Sequence, residues 1–369
     1  MTSLQTEYTA DELLADHAVN EPLFAGGVRC HGGFDETGEY VSPRTKHRVP
    51  GIDAWQEKHR EDFGKDIADI PLETWPENFP NLDQARYLIE ARVPEPLIAT
   101  LTRIGTVEGF GANIRYLQPG EMQPHFDESI KGTAIDHLGR GLFEAHGRDE
   151  AGWEKEAGHM DMWFAARDIA FENPTAAVDI EGMLQRMGFG QGGGGGGGGG
   201  GGNTVFDRAL PDDIDENLEM ILSLMTRVLF IEIQAFHTFR WAEAWLSDPK
   251  LVAGDGEAAR LVSYIRSDET PHVGYLKTTI TEMRDRTWIG KSGKKYDGAD
   301  MVARIWDRNL DQSLGAGRAQ NRKAIRGEVE HWVLERPNGK DILERFNELG
   351  SDEAGMLETT GADAAPVTY

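Results

Sequence analysis

The sequence predicts a mainly α-helical protein. Apolar residues recur at helical spacing over long stretches: Ile214, Leu218, Ile221, Leu222, Met225, Val228 and Leu229 trace one stripe, and Leu261, Val262, Ile265, Val273, Leu276 and Ile280 trace another. Ionisable residues interrupt both stripes. Glu232 follows Leu229 inside the apolar run VLFIEIQAF, and Glu269 and His272 fill the gap at 268–272. A chain of 369 residues with 39% hydrophobic content is long enough for one large or two modest domains with a substantial core. The interruptions are costly there, because an unpaired buried charge costs several kcal/mol or shifts its pKa until it is neutral.

Residues 1–80 carry many turn signals and read as a loop-rich N-terminal extension. Asp11 to His17 reads as a short helix capped by Thr9 or Asp11, and Phe34 to Val41 as a small hairpin or a loop. Cys30, His31 and His47 match no closed metal site by spacing and are read as structural. Helices follow from Asn81 to Glu90 and, after Pro94 and Pro96, along a face of Leu97, Leu101, Ile104 and Glu108. Gly105, Gly109 and Gly111 flank Glu108 and suggest close helix packing or room for a ligand.

Residues 127–172 read as helix in two pieces joined near Gly147 to Gly152. Glu156-Ala-Gly-His159 leads into Met162, Trp163, Ala166 and Ala170, and Asn173-Pro174 ends the helix. Glu144, His146 and Glu150 are rival candidates. Because Glu144 and His146 are two residues apart and face different sides of a helix, Glu156 and His159 are preferred. The run of glycines at 192–202 reads as a flexible tether, natural or engineered. Asp212 to Ser247, with Pro211 at its start and acidic residues in its first turns, is the longest predicted helix. Within it, Glu232 has Arg115 or Arg240 as an alternative, purely structural partner, and His237 lies on a different side. In the helix 258–280, Pro271 predicts a kink beside Glu269 and His272. A turn at Gly290 to Gly298, helices at Ala299 to Leu310, Ala319 to Leu334 and Lys340 to Glu348, and a polar tail at 350–369, expected to be disordered, complete the chain.

A formal net charge of −25 argues against nucleic-acid and anionic-membrane partners. A single cysteine permits no intrachain disulfide, and neither a signal peptide nor a membrane-length apolar run is visible. A cytoplasmic location is the expectation.

The predicted core faces therefore carry Glu108, then Glu156 and His159, then Glu232, then Glu269 and His272. A carboxylate helix followed by a Glu-x-x-His helix occurs twice. In this pattern the sequence resembles the ferritin-like di-iron carboxylate superfamily over roughly 95–285. The resemblance implies a four-helix bundle at 81–285, interrupted by the glycine tract, with additional helices at 286–349. It implies metal ligation by Glu108, Glu156, His159, Glu232, Glu269 and His272, with Glu232, Glu269 and His272 as the catalytic core. Two iron ions are the implied cofactor, with manganese possible in one or both positions and O2 as co-substrate. Elements outside the bundle favour an O2-dependent oxidase or monooxygenase that hydroxylates carbon or oxygenates nitrogen in a small organic substrate. Trp163, Phe164, Phe236, Phe239 and Tyr264 are candidate cavity residues or plain core. An electron donor of unknown kind and a homodimer are further expectations. The alternatives are a non-enzymatic ferritin-like metal-binding or storage protein and a metal-free helical scaffold.

Overall fold

The computed structural model describes residues 4–171 and 208–350. The glycine tract, the helix end expected at Asn173-Pro174, and residues 351–369 of the expected tail lie outside them. The chain is mainly helical, as its apolar periodicity predicts. No helix among the described residues is long and apolar enough to cross a membrane.

The N-terminal extension is more ordered than its turn signals suggest. Helix α1 (Ala10–Leu13) is capped by Thr9: its hydroxyl accepts the Glu12 N–H while the Glu12 carboxylate accepts the Thr9 N–H. Strands β1 (Glu21–Ala25), β2 (Val28–Phe34) and β3 (Tyr40–Val41) form an antiparallel sheet in that order, and helix α2 (Arg48–Phe63) follows.

Helix α3 (Leu82–Glu90) starts at an Asn81 capping box, and α4 (Glu95–Gly111) starts at Pro94. The expected helix at 127–172 is a broken series. It comprises α5 (Ala134–His137), a wide turn through Leu142, α6 (Phe143–Ala151) and α7 (His159–Ala170). Gly141, with φ 139°, allows the wide turn. The long helix α8 (Glu216–Leu246) begins where the Asp215 carboxylate accepts the N–H groups of Asn217 and Leu218, a few residues later than predicted. The predicted helix 258–280 is split into α9 (Glu257–Asp268) and α10 (Thr270–Arg284), with Glu269 at the joint and Pro271 just after it. The expected turn at 290–298 belongs to a hairpin, β4 (Thr287–Ile289) and β5 (Lys295–Asp297). Helices α11 (Gly298–Leu310), α12 (Gly317–Leu334) and α13 (Gly339–Glu348) lie close to their predicted places.

Helix α4 packs on α7, α7 on α9, and α8 on both α9 and α10. The apolar core falls into two clusters. One joins Trp55, Leu142, Phe143, Leu229, Phe230, Tyr275 and Leu276; the other joins Leu97, Leu101, Met162, Trp163, Phe239, Trp245 and Ile265. Along α8 and the α9–α10 pair, the ionisable residues lie where one cluster gives way to the other. The chain thus buries a polar layer between two apolar ones.

Candidate metal centre

Three groups of side chains, all buried except the half-buried Glu108, each gather ligand atoms within 4.8 Å of one another: His146, Glu150, Glu232 and His272; Glu108, Glu150, His159 and Glu269; and His31, His159 and Asp268. Glu150 belongs to the first two groups and His159 to the last two, so the three form one continuous cluster.

Each ligand-bearing residue is placed by a local feature. The joint between α9 and α10 aims Glu269 and His272 inward together, with Glu269 Oε2 2.6 Å from His272 Nδ1. The other oxygen, Oε1, lies 2.7 Å from His159 Nδ1, so one carboxylate spans two imidazoles. On α6, His146 and Glu150 are one turn apart and share its inner face. The rings of His146 and His272 stack at 3.8 Å, and His146 Nε2 lies 3.3 Å from Glu232 Oε1. Glu108 on α4 accepts the Trp163 indole N–H at 3.0 Å.

Glycines permit these approaches. A Cβ on Gly105 or Gly109 would press on Phe164 or Met160 of α7, and one on Gly111 would press on Glu150. The close-packing reading of these glycines is what the structure shows. Gly158 runs against Gly152 N and the carbonyls of Asp149 and Glu150, so the 152–158 loop folds back and delivers His159 beside Glu150.

Five of the six expected residues, Glu108, His159, Glu232, Glu269 and His272, are brought together. Glu156 is not. Helix α7 begins only at His159, after an extended Gly158 (ψ −165°), so Glu156 and His159 share no helical face. The Glu156 side chain is 34% exposed and pairs with Arg29 at 2.7 Å. Its expected place is taken by Glu150, with His146 as an additional imidazole. Glu144, the residue that made the 144–150 segment look unsuitable, points outward to Arg115 and Arg148. Arg115 is therefore not a partner of Glu232, and His237 bonds the Leu72 carbonyl instead. The inward pair His146 and Glu150 was visible at i, i+4.

A second ring of buried groups orients the histidines. His272 Nε2 bonds Asp149 Oδ2 at 2.9 Å, and His159 Nε2 faces Asp268 Oδ2 at 3.5 Å. Asp149 precedes Glu150 and Asp268 precedes Glu269, so each Asp-Glu pair supplies one carboxylate to the cluster and one to the histidine from the opposite half. Asp149 is paired with Arg44 (Nε to Oδ1, 2.7 Å) and Arg48 (2.7 Å). Asp268 accepts the Tyr40 hydroxyl at 2.9 Å and meets His31 Nε2 at 3.1 Å. His31 is thus part of the site's support, which its sequence spacing did not reveal.

Electrostatics point to missing positive charge. Among the described residues, no Lys or Arg pairs with Glu108, Glu150, Glu232 or Glu269. Burial pushes Glu108 and Glu232 well above the usual carboxylate range, and neighbouring carboxylates push them further. Burial opposes ionisation of Glu269 too, but His159 and His272 outweigh it and hold Glu269 well below that range. Those imidazoles are desolvated, yet Glu269 drives both well above the ordinary histidine value. His146 is pushed down to about 3, by burial and then by the charge of His272. Protons alone therefore offset the carboxylates. Several inward atoms lie at ion-pair distance from one another yet make no well-aligned hydrogen bond: His146 Nε2, both Glu150 oxygens, both ring nitrogens of His159 and Glu269 Oε1. Buried polar atoms are rarely left so. Divalent cations bound by carboxylate and imidazole would satisfy both the atoms and the charge, so the residues fit a metal centre.

No family profile, curated protein or solved structure matches the chain.

Proposed function

We propose that the chain is an O2-activating, non-haem di-iron oxidase or monooxygenase of ferritin-like type, acting on a small organic substrate. The observation that carries this reading is the pair of ligand groups joined through Glu150, with their unsatisfied atoms aimed inward. His146, Glu150, Glu232 and His272 would hold one ion; Glu108, Glu150, His159 and Glu269 the other. Bound iron supplies the redox chemistry that O2 activation requires, and manganese suits the same donors.

The chain's own residues would do the rest. Asp149 bonds His272 Nε2 and fixes that ring, while Asp268 faces His159 Nε2 at 3.5 Å; in both histidines Nδ1 is left facing the carboxylates. The apolar clusters on either side keep water from the layer between them. Glu108, half-buried on α4, and Glu232 on α8 have partly buried apolar neighbours, including Ile104, Val107, Val228 and Ile231.

The test is metal content after anaerobic loading with ferrous iron, followed by O2 consumption with and without candidate substrates. Two ions per chain and substrate-dependent O2 uptake are expected. Uptake of many ions per chain, or of none, would overturn the reading.

A further inference from the structure

Two of the buried residues that support the centre come from the N-terminal extension, outside the stretch that carries the ligands. Arg44 lies between β3 and α2, only 2% exposed, with a left-handed backbone (φ 52°) that residues other than glycine seldom adopt. The Asp16 carboxylate accepts the Arg44 N–H at 2.7 Å and braces that conformation. The guanidinium touches the supports of both halves of the centre. Its Nε donates to Asp149 Oδ1 at 2.7 Å, and its Nη2 donates to His31 Nδ1 at 3.2 Å. His31, on β2, meets Asp268 Oδ2 through Nε2 at 3.1 Å.

The direction of these bonds places a proton. A guanidinium has donors and no acceptor, so His31 Nδ1 must accept, and the ring carries its proton on Nε2, which donates to Asp268. With both nitrogens engaged, His31 has no lone pair left for a cation. The group His31, His159 and Asp268, although its atoms are close enough to hold an ion, is therefore closed to one. It belongs to a strut instead: His272, Asp149, Arg44, His31, Asp268 and His159 stand in one line of polar contacts. Arg48, the other guanidinium on Asp149, ends at the Pro43 carbonyl.

We infer that Arg44 and His31 are positioning residues that tie the two halves together, so that the two ions load as a unit. The inference rests on the di-iron reading above. Once His272 is held by ligation, Asp149, Arg44, His31 and Asp268 are held in turn, and His159 meets the second ion already oriented.

Anaerobic titration of the full chain with ferrous iron tests the coupling, with iron per chain and circular dichroism read on the same samples. The wild type should take up two ions in a single phase. His31→Leu removes acceptor and donor together. It should keep two ions but split their uptake into two phases, the weaker shifted by about 10–100-fold. His31→Gln should restore the single phase, because an amide offers both an acceptor and a donor. Arg44→Lys keeps a positive charge beside Asp149 but not the planar fork that spans two acceptors, and should split the uptake as well. Split uptake in the wild type, or unsplit uptake in His31→Leu, overturns the coupling. So does His31→Gln behaving as His31→Leu does, which would mark His31 as packing alone. Should His31→Leu fail to fold, Arg44→Lys decides in its place. A third ion that disappears in His31→Leu overturns the closed strut. Nuclear magnetic resonance of metal-free protein with isotope-labelled histidine is an independent arm. His31, identified by the loss of its signals in His31→Gln, should show a protonated Nε2 and a bare Nδ1, and the reverse tautomer overturns the link. A chain that binds no iron overturns the di-iron reading, and the coupled loading with it, while the imidazole spectrum still judges the link.

Discussion

The two halves of the candidate centre reach one geometry by unlike routes. In the second half, Glu269 and His272 are three residues apart across a proline joint, on two helices that continue one another. In the first, Glu150 and His159 lie at the end of one helix and the start of the next, with a loop folded between them by Gly152 and Gly158. The supporting carboxylates differ as well. Asp149 sits between two arginines, whereas Asp268 sits between an imidazole and a phenol. The first half is therefore anchored by fixed charge, and the second by neutral or titratable donors.

The sharpest way to break this comparison is at Glu150, the residue common to both ligand groups. Glu150→Ala should abolish binding of both ions, while Glu156→Ala should leave metal content unchanged and cost at most about 1 kcal/mol, as expected for an exposed ion pair. Metal analysis of the two purified variants decides between the residues. Glu232→Ala and His272→Ala should also lose stoichiometric metal with helicity largely kept, as read by circular dichroism.

The supporting carboxylates come next. Asp149→Asn leaves Arg44 and Arg48 buried without their counter-ion and should destabilise the fold by roughly 3–5 kcal/mol in urea unfolding. Asp268→Asn strands no arginine directly and should cost less. Its main effect should be metal affinity weakened about 10–100-fold. Equal unfolding costs for the two variants would refute the asymmetry.

The smallest effect is expected at His137, away from the ligands. Its Nε2 accepts the Tyr8 N–H at 3.0 Å, and Nδ1 bonds the Thr133 carbonyl at 2.7 Å, an arrangement that requires the neutral ring. Burial lowers its pKa. As pH falls below about 6.5 the unfolded chain takes up a proton that the native ring refuses, so stability should decline down to the folded pKa and then level off. The decline should be shallower in His137→Gln, measured as urea midpoints across that pH range.

The second half was the more legible in the sequence because its ligands interrupt regular apolar stripes. Glu232, Glu269 and His272 stand out where helical period holds. The first half obeys no single period: the chain leaves helix at Gly152 and resumes at His159, so counting along one helix selected Glu156. His146 and Glu150 obeyed the spacing rule, but Glu144 drew attention to the wrong face. His31, Arg44 and Tyr40 were illegible for a different cause. Their partners lie far along the chain, and no local pattern records such pairing.

That distance bears on how the protein is made. The bond between His31 and Asp268 spans 237 residues, and β2 is pinned to the loop before α7 through His31 N–H and the Ala157 carbonyl. A nascent chain exposes His146, Glu150 and His159 well before Glu269 and His272 are translated, a delay on the order of ten seconds at ribosomal speed. During that interval half a set of ligands is open to whichever cation is abundant. Only when the last of these helices closes against α6 and α7 are both halves of the proposed ligand set present together.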